Sequence, residues 1–268
     1  PTNATGRVIL GPSYSPEHRG FGIDNCPCDI AYARFSFEAA IAAAGILSQD
    51  ADLVARFQRQ LTQLPQYPVT PEPEPMVTDV EGGAPLNYNI AVPVLPVFPA
   101  GLVTVFSSEE EQALFRRTVE RVQWNGYNSS IIMPVARARL SFPDSAEYMK
   151  AEFLKRSRPN GTITLRAGDR CGHFTEQFAA AGAIAELLLQ SVGDIIRVFP
   201  AWPQEKDAKF ENLRAQGGFL VSAEQKDGQV ANLQIVSTAG GKLQLLSPWT
   251  GQIVERETVS GEHMEIQP

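Results

Sequence analysis

The strongest constraint on the fold of this chain is a change of hydrophobic period at Pro203. Before that residue, apolar side chains recur every three to four positions, which is the period of an amphipathic helix. After it, apolar and polar side chains alternate, which is the period of a half-buried strand. The alternation predicts strands at 218–224, 230–237 and 242–246. The sequence therefore predicts a mainly α chain with a C-terminal antiparallel β region.

About six helices are expected in the first part of the chain. Ser107 and Ser108 are each followed three residues later by a glutamate, which is the spacing of a helix N-terminal capping box. The predicted helices span about 29–47, 50–64, 108–122, 128–140, 144–156 and 175–191. We expect a helical domain over 1–203 and a β domain over 204–268 that holds too few strands to close a sandwich.

The charge and hydrophobicity of the sequence limit the kinds of partner that the protein is expected to bind. Of the 268 residues, 43% are hydrophobic and 20% are charged, which is typical of a globular protein. The formal net charge is −7 and there is no run of Lys or Arg, so nucleic acid is not expected as a partner. We identify no apolar run near the ~18 residues that a membrane span needs, so no membrane span is expected.

The three cysteines are Cys26, Cys28 and Cys171. Together with His173 they offer three thiolates and an imidazole to a zinc ion. However, Cys26 and Cys28 are separated by one residue, which is tighter than the usual two to four of a zinc site. The sequence therefore favours thiols packed in a buried wall, and no metal site is predicted. Asn-X-Ser/Thr sequons at Asn3, Asn128 and Asn160 carry little weight.

A polar cluster, His173 to Gln177, opens the apolar helix predicted over 175–191. Thr175 is a candidate N-cap, and the free amides of the first turn favour the carboxylate of Glu176. Two interpretations of Glu176 stay open. It is either an ordinary exposed glutamate that caps its own helix, or a functional carboxylate at the N-terminus of a packed helix.

Several ordered segments resemble glycoside hydrolase family 95, which contains α-L-fucosidases and α-L-galactosidases. The first is Pro12-Ser13-Tyr14-Ser15-Pro16-Glu17-His18, in which a proline and a histidine flank a glutamate. The others are Asp29-Ile30-Ala31, the block from Gly182 to Ser191, Phe199-Pro200-Ala201-Trp202-Pro203, and the block from Leu213 to Phe219. The resemblance runs from Pro12 to about Leu246.

The resemblance implies a toroid of helical hairpins, here a partial (α/α)6 toroid followed by a β domain. It implies an inverting glycoside hydrolase acting on α-L-fucoside or α-L-galactoside linkages, without metal or organic cofactor, and it favours a periplasmic or secreted location. Glu17 matches the general acid. The family's base aspartate aligns with Thr175, and the carboxylate of this chain stands one position later, at Glu176.

The family also places an asparagine-bearing segment before the general acid, where this chain has only eleven residues before Pro12. The segment Asn87-Tyr88-Asn89 resembles the asparagine-bearing segment only superficially and lies in a different place in the sequence. The alternative interpretation of Asn87-Tyr88-Asn89 is an ordinary loop. Because a full toroid needs about twelve helices, the chain matches the C-terminal half of a longer enzyme. We expect either a missing N-terminal half or a second chain.

Sugar sites combine aromatic rings with amide and charged groups. The candidate substrate-binding residues are His18, Trp124, Asn125, His173 and Gln177. A buried structural role is the alternative for the tryptophan and the histidines. At the level of function, the alternative is a non-catalytic helical carbohydrate-binding or scaffold protein. A third hypothesis is a polysaccharide lyase that uses Tyr14 and His18.

Overall fold

The computed structural model describes residue 2, residues 8–168 and residues 174–268. The candidate residue His173, together with Cys171, lies outside the described residues. The chain divides into two compact units. The first unit comprises residues 1–103 and 107–136, and the second comprises 104–106 and 137–268.

The first unit begins with a helical hairpin formed by α1 (Pro27–Leu47) and α2 (Ala51–Gln63). The rings of Phe37 and Phe57 stack across the hairpin with their centroids 5.3 Å apart. The two-residue strand β1 (Asn87–Tyr88) follows, and then α3 (Glu109–Arg121). The Ser108 hydroxyl accepts a hydrogen bond from the amide of Glu111 at 3.2 Å, which confirms the serine end of the predicted capping box.

The remaining elements of this unit are short. Strand β2 (Gln123–Trp124) pairs in parallel with β1, and α4 (Ile132–Arg139) follows β2 in the sequence. Between α2 and α3 the chain forms no α-helix, and its buried run from Ala91 to Val97 contains only the 3₁₀ turn Val92–Val94. Pro93 and Pro96 interrupt this run, because proline lacks the amide donor that a helix needs.

The second unit contains two helices and most of the strands. The helices are α5 (Ser145–Arg156) and α6 (Phe174–Leu188), and the strands β3 (Leu189–Gln190) and β4 (Arg197–Val198) pair with each other. The long strands are β5 (Ala208–Ala215), β6 (Phe219–Lys226), β7 (Gln229–Ser237), β8 (Gly241–Leu246), β9 (Ile253–Thr258) and β10 (Glu262–Glu265). Four of them form an antiparallel sheet in the order β10-β7-β6-β5, and β8 pairs with β9.

The alternation after Pro203 correctly predicted three of these strands, β6, β7 and β8, at 218–224, 230–237 and 242–246. Strands β5, β9 and β10 were not predicted. In β6 every second side chain is buried, and Phe219, Val221 and Ala223 join one hydrophobic core with Leu233 and Ile235 of β7. The turn between the two strands places Asp227 at φ 49° and Gly228 at φ 78°. Two consecutive positive φ angles are typical of the tight turn that matches the twist of a hairpin.

The predicted fold class is wrong. The chain is 35% helix and 23% strand, so it is a mixed α and β protein, and no toroid is evident in the described ranges. A toroid needs helical hairpins that follow one another around a ring. Here the hairpin of α1 and α2 is followed by a proline-rich, irregular segment of more than forty residues, from Leu64 to Ser108. The expected boundary of the two domains at 203/204 stays a prediction.

Helix α1 alone, among the described helices, is long and apolar enough to cross a membrane. It has 21 residues, a mean hydropathy of 1.4 in its most apolar window, and 11% of that window buried. Length and composition alone are weak evidence of a span. Arg34 and Glu38 also lie near the middle of the helix, where a charged side chain costs about 2.5–3.5 kcal/mol in a bilayer. The absence of a membrane span stays a prediction.

Candidate functional site

The candidate acid Glu17 lies at the tip of a closed loop in the first unit. Backbone hydrogen bonds in both directions join Ser13 and Ile23, at 2.8 and 3.1 Å, and close the base of the loop. Glu17 itself has φ 63°, in the left-handed region that non-glycine residues rarely adopt. Holding a glutamate there costs about 1 kcal/mol or more. Such strain is typical of a position whose side chain must point in one direction.

Two asparagines from distant parts of the chain hold the Glu17 carboxylate. Its Oε2 atom accepts a hydrogen bond from Nδ2 of Asn128 at 2.9 Å and a second one from Nδ2 of Asn89. These residues are 111 and 72 positions away from Glu17. The Oε1 atom has no hydrogen-bond partner within the part of the chain that the structure describes, and the side chain is exposed. We call Glu17, His18, Asn89 and Asn128 the Glu17 cluster.

The backbone fixes the orientation of the Asn89 side chain. Its Oδ1 atom accepts from the amide of Asn128 at 3.2 Å, so its Nδ2 atom faces the carboxylate. Behind it, the buried Ser129 hydroxyl donates to the carbonyl of Asn89 at 3.0 Å and accepts from the amide of Ala91 at 2.7 Å. The asparagine pair is therefore positioned before any ligand arrives.

The paired strands β1 and β2 bring these segments together. Tyr88 lies opposite Trp124 in the parallel register, and the amide of Asn125 donates to the carbonyl of Tyr88 at 2.8 Å. Asn89 directly follows β1, and Asn128 lies four residues after β2. Because parallel strands end at the same edge, the residues after them lie on the same side.

The ring of His18 connects the loop that carries Glu17 to β1 and the residues after it. Its Nε2 atom lies 3.2 Å from the amide nitrogen of Asn89 and 3.1 Å from the carbonyl oxygen of Ile90, and the tautomer decides which bond forms. The carbonyl of Ile90 already accepts from the amide of Val92 at 2.7 Å, which favours Nε2 as the acceptor from Asn89. The ring also packs edge-on against Tyr88, at 5.2 Å between centroids.

A buried ion pair lies below this loop. The Arg19 guanidinium donates to both carboxylate oxygens of the fully buried Asp79, at 2.8 and 3.1 Å, and Tyr88 donates to Asp79 at 3.1 Å. The hydrogen bond to Asp79 raises the pKa of Arg19. Burial, together with the charge of Asp79, raises the pKa of Tyr88. Both groups thus keep their protons at neutral pH and hold the start of β1 to the loop.

The amide donors decide which oxygen of Glu17 can carry a proton. A carboxylic acid has one hydroxyl oxygen and one carbonyl oxygen, and N–H donors need the lone pairs of an oxygen without a proton. Because both amides point at Oε2, a proton on Glu17 resides on Oε1. That oxygen faces away from the asparagine pair and is the one able to donate to an incoming group.

The other predicted residues of this unit lie after α3. Trp124 is half-buried in β2, and Asn125 is exposed, with its Oδ1 accepting from the amide of Tyr127 at 3.0 Å. The structure thus places Trp124 and Asn125 in the segment that leads to Asn128.

The remaining predicted residues belong to the second unit. Glu176 lies in the first turn of α6, and its Oε2 accepts from the Thr175 hydroxyl at 2.7 Å. Thr175 lies inside α6, so it is not the predicted N-cap. Gln177 is half-buried and reaches the carbonyl of Gly161 at 3.5 Å.

Of the residues in the Glu17 cluster, the sequence predicts Glu17 and His18 as site residues, and their roles stay predictions. It gives Asn128 only as a sequon and Asn89 only as part of a segment that resembles the family's asparagine-bearing segment. The available signal was the polarity of Asn128-Ser129-Ser130 in front of an apolar helix. Comparison of the chain with models of known protein families gave no match, and comparison with curated proteins gave none.

Proposed function

We propose that this protein is an inverting glycoside hydrolase for α-L-fucoside or α-L-galactoside linkages, with Glu17 as its general acid. The observation that carries the proposal is the fixed orientation of the Glu17 side chain, because Asn89 and Asn128 both bind Oε2 and Oε1 is left to face an incoming leaving group. The left-handed backbone of Glu17 at φ 63° supports it by fixing the direction in which the side chain leaves the loop. The choice of sugar follows from the family resemblance.

Inversion also requires a second carboxylate that activates water, about 6.5–9.5 Å from the acid. We propose Glu176 for this role on the resemblance alone. His18, Trp124, Asn125, His173 and Gln177 remain the proposed contacts to the sugar. The substrate is an oligosaccharide or polysaccharide, and the proposed chemistry needs no metal or organic cofactor.

Replacing Glu17 by Gln tests the acid role. We expect hydrolysis of an α-L-fucosyl disaccharide to fall by about 10²–10⁴-fold, the usual contribution of a positioned proton donor. For a fluorinated or nitrated aryl α-L-fucoside the loss should be much smaller, because such a leaving group needs little protonation. Initial rates on both substrates give the comparison.

The matched control is Glu120→Gln, on the exposed face of α3. This variant removes one negative charge from the unit that holds Glu17. It should leave the rates of hydrolysis of the disaccharide and of the aryl fucoside unchanged. Equal losses on the two substrates, or none, would contradict the acid role of Glu17.

The second candidate function is a non-catalytic carbohydrate-binding protein. The local hydrogen bond between Thr175 and Glu176 favours it, because that bond is typical of a glutamate that serves its own helix terminus. In this case Glu17→Gln changes sugar affinity little, and no α-L-fucoside or α-L-galactoside is hydrolysed by the unmodified chain.

A further inference from the structure

Two thiols and a carboxylate meet at the N-terminus of α1. The Sγ atoms of Cys26 and Cys28 are 3.2 Å apart, and Sγ of Cys28 is 3.8 Å from Oδ1 of Asp29. One ligand atom from each of the three residues lies within 4.8 Å of the others. None of these residues belongs to the Glu17 cluster.

One oxygen of the Asp29 carboxylate lacks a hydrogen-bond donor. Its Oδ2 atom is buried and has no hydrogen-bond partner among the described residues. A buried carboxylate oxygen without a donor costs free energy that a bound cation would recover. The missing donor at Oδ2 is a second observation, independent of the short distance between the two thiols.

We propose that Cys26, Cys28 and Asp29 bind one soft divalent cation of the zinc class. Thiolate ligands select zinc over calcium or magnesium, which prefer oxygen. In a tetrahedral zinc site two sulfurs are about 3.8 Å apart, and a sulfur and a carboxylate oxygen about 3.5 Å. The two measured separations lie within about 0.6 Å of these values, so small side-chain rotations suffice.

The surroundings fit a bound ion as well. Cys26 is fully buried and Cys28 is 7% exposed, in an apolar shell that contains Val92 and Leu95. Such a shell excludes water and strengthens the attraction between thiolates and a cation. Two thiolates and one carboxylate exceed the charge of a divalent cation by one, and the free amides at the start of α1 offset the excess.

The described residues supply three protein ligands, so a tetrahedral ion here has a fourth position beyond these three. The single-residue spacing of Cys26 and Cys28, which argued against a zinc site in the sequence, is compensated by Asp29 as the third ligand. The Pro27 ring fixes the φ angle of the residue between the two thiols.

Titration of the reduced, metal-free chain with Cd²⁺ tests the proposal, with the thiolate-to-cadmium charge-transfer band in the ultraviolet as readout. Zn²⁺ is then measured by competition with a chromophoric chelator. We expect one equivalent of metal to bind. Cys28→Ser should weaken binding by more than the 10–100-fold that is typical for loss of an outer-shell partner.

Asp29→Asn is the second variant, because it retains the shape of a half-buried side chain and avoids the risk of unfolding. It should weaken binding by about tenfold or more. Asp52→Asn, which removes an exposed carboxylate from the first turn of α2, is the control and should bind like the unmodified chain. The proposal is overturned if reduced protein with titratable thiols binds no metal, if Asp52→Asn loses binding, or if Asp29→Asn binds normally.

Discussion

At the scale of single residues, the Glu17 cluster depends on buried charges that never touch a ligand. Asp79 is fully buried, and Arg19 supplies its only counter-charge among the ion pairs of the described residues. Arg19 follows Glu17 and His18 directly, so the same guanidinium anchors the loop that carries the candidate acid. Its role is therefore to position the loop and to neutralise Asp79.

Arg19→Met is expected to lower the free energy of unfolding by about 3 kcal/mol, because it leaves a buried carboxylate without its counter-charge. Urea denaturation measures the change. Arg121→Met is the matched control, since Arg121 pairs with Glu74 on the surface, where an ion pair contributes about 0–1 kcal/mol. Similar effects of the two variants would contradict the account of Asp79.

At the scale of elements, α1 exposes an apolar stripe on the side that α2 leaves uncovered. Tyr32, Phe35, Ala39, Ala42 and Ile46 are all exposed, with Tyr32 at 42%, Phe35 at 51% and Ile46 at 84%. Their alternating spacing of three and four residues is the spacing of a coiled-coil seam. The alanines in the stripe allow another helix to approach closely.

Comparison of the predicted and observed elements shows which parts of the fold could be predicted from the sequence. The six described helices and the strands β6, β7 and β8 match their predicted spans within a few residues, because their hydrophobic periods are local. Strands β5, β9 and β10 were not predicted, and in β9 the first five residues are all exposed, so burial does not alternate there. The left-handed backbone of Glu17 could not be predicted, since no glycine or asparagine marks it. The meeting of Asn89 and Asn128 depends on two strands of two residues each, which are too short to leave a periodic signal.

At the scale of the whole molecule, the predicted toroid failed because it needs contacts between helices that are distant in sequence. The period of an apolar pattern indicates a helix but not its neighbour. The irregular segment from Leu64 to Ser108 separates the hairpin of α1 and α2 from α3, so these helices do not follow one another around a ring. The apolar run from Ala91 to Val97 instead forms buried irregular backbone.

The most direct test of the central claim is a titration of the chain with methyl α-L-fucoside, followed by the side-chain amide resonances of Asn89 and Asn128 in ¹H–¹⁵N NMR spectra. Each resonance is assigned by its loss in the corresponding Asn→Ala variant. We predict that both resonances shift saturably in the unmodified chain and in Glu17→Gln, because the acid variant retains the site. If neither resonance moves at saturating sugar, the Glu17 cluster is not a sugar site and the account is wrong.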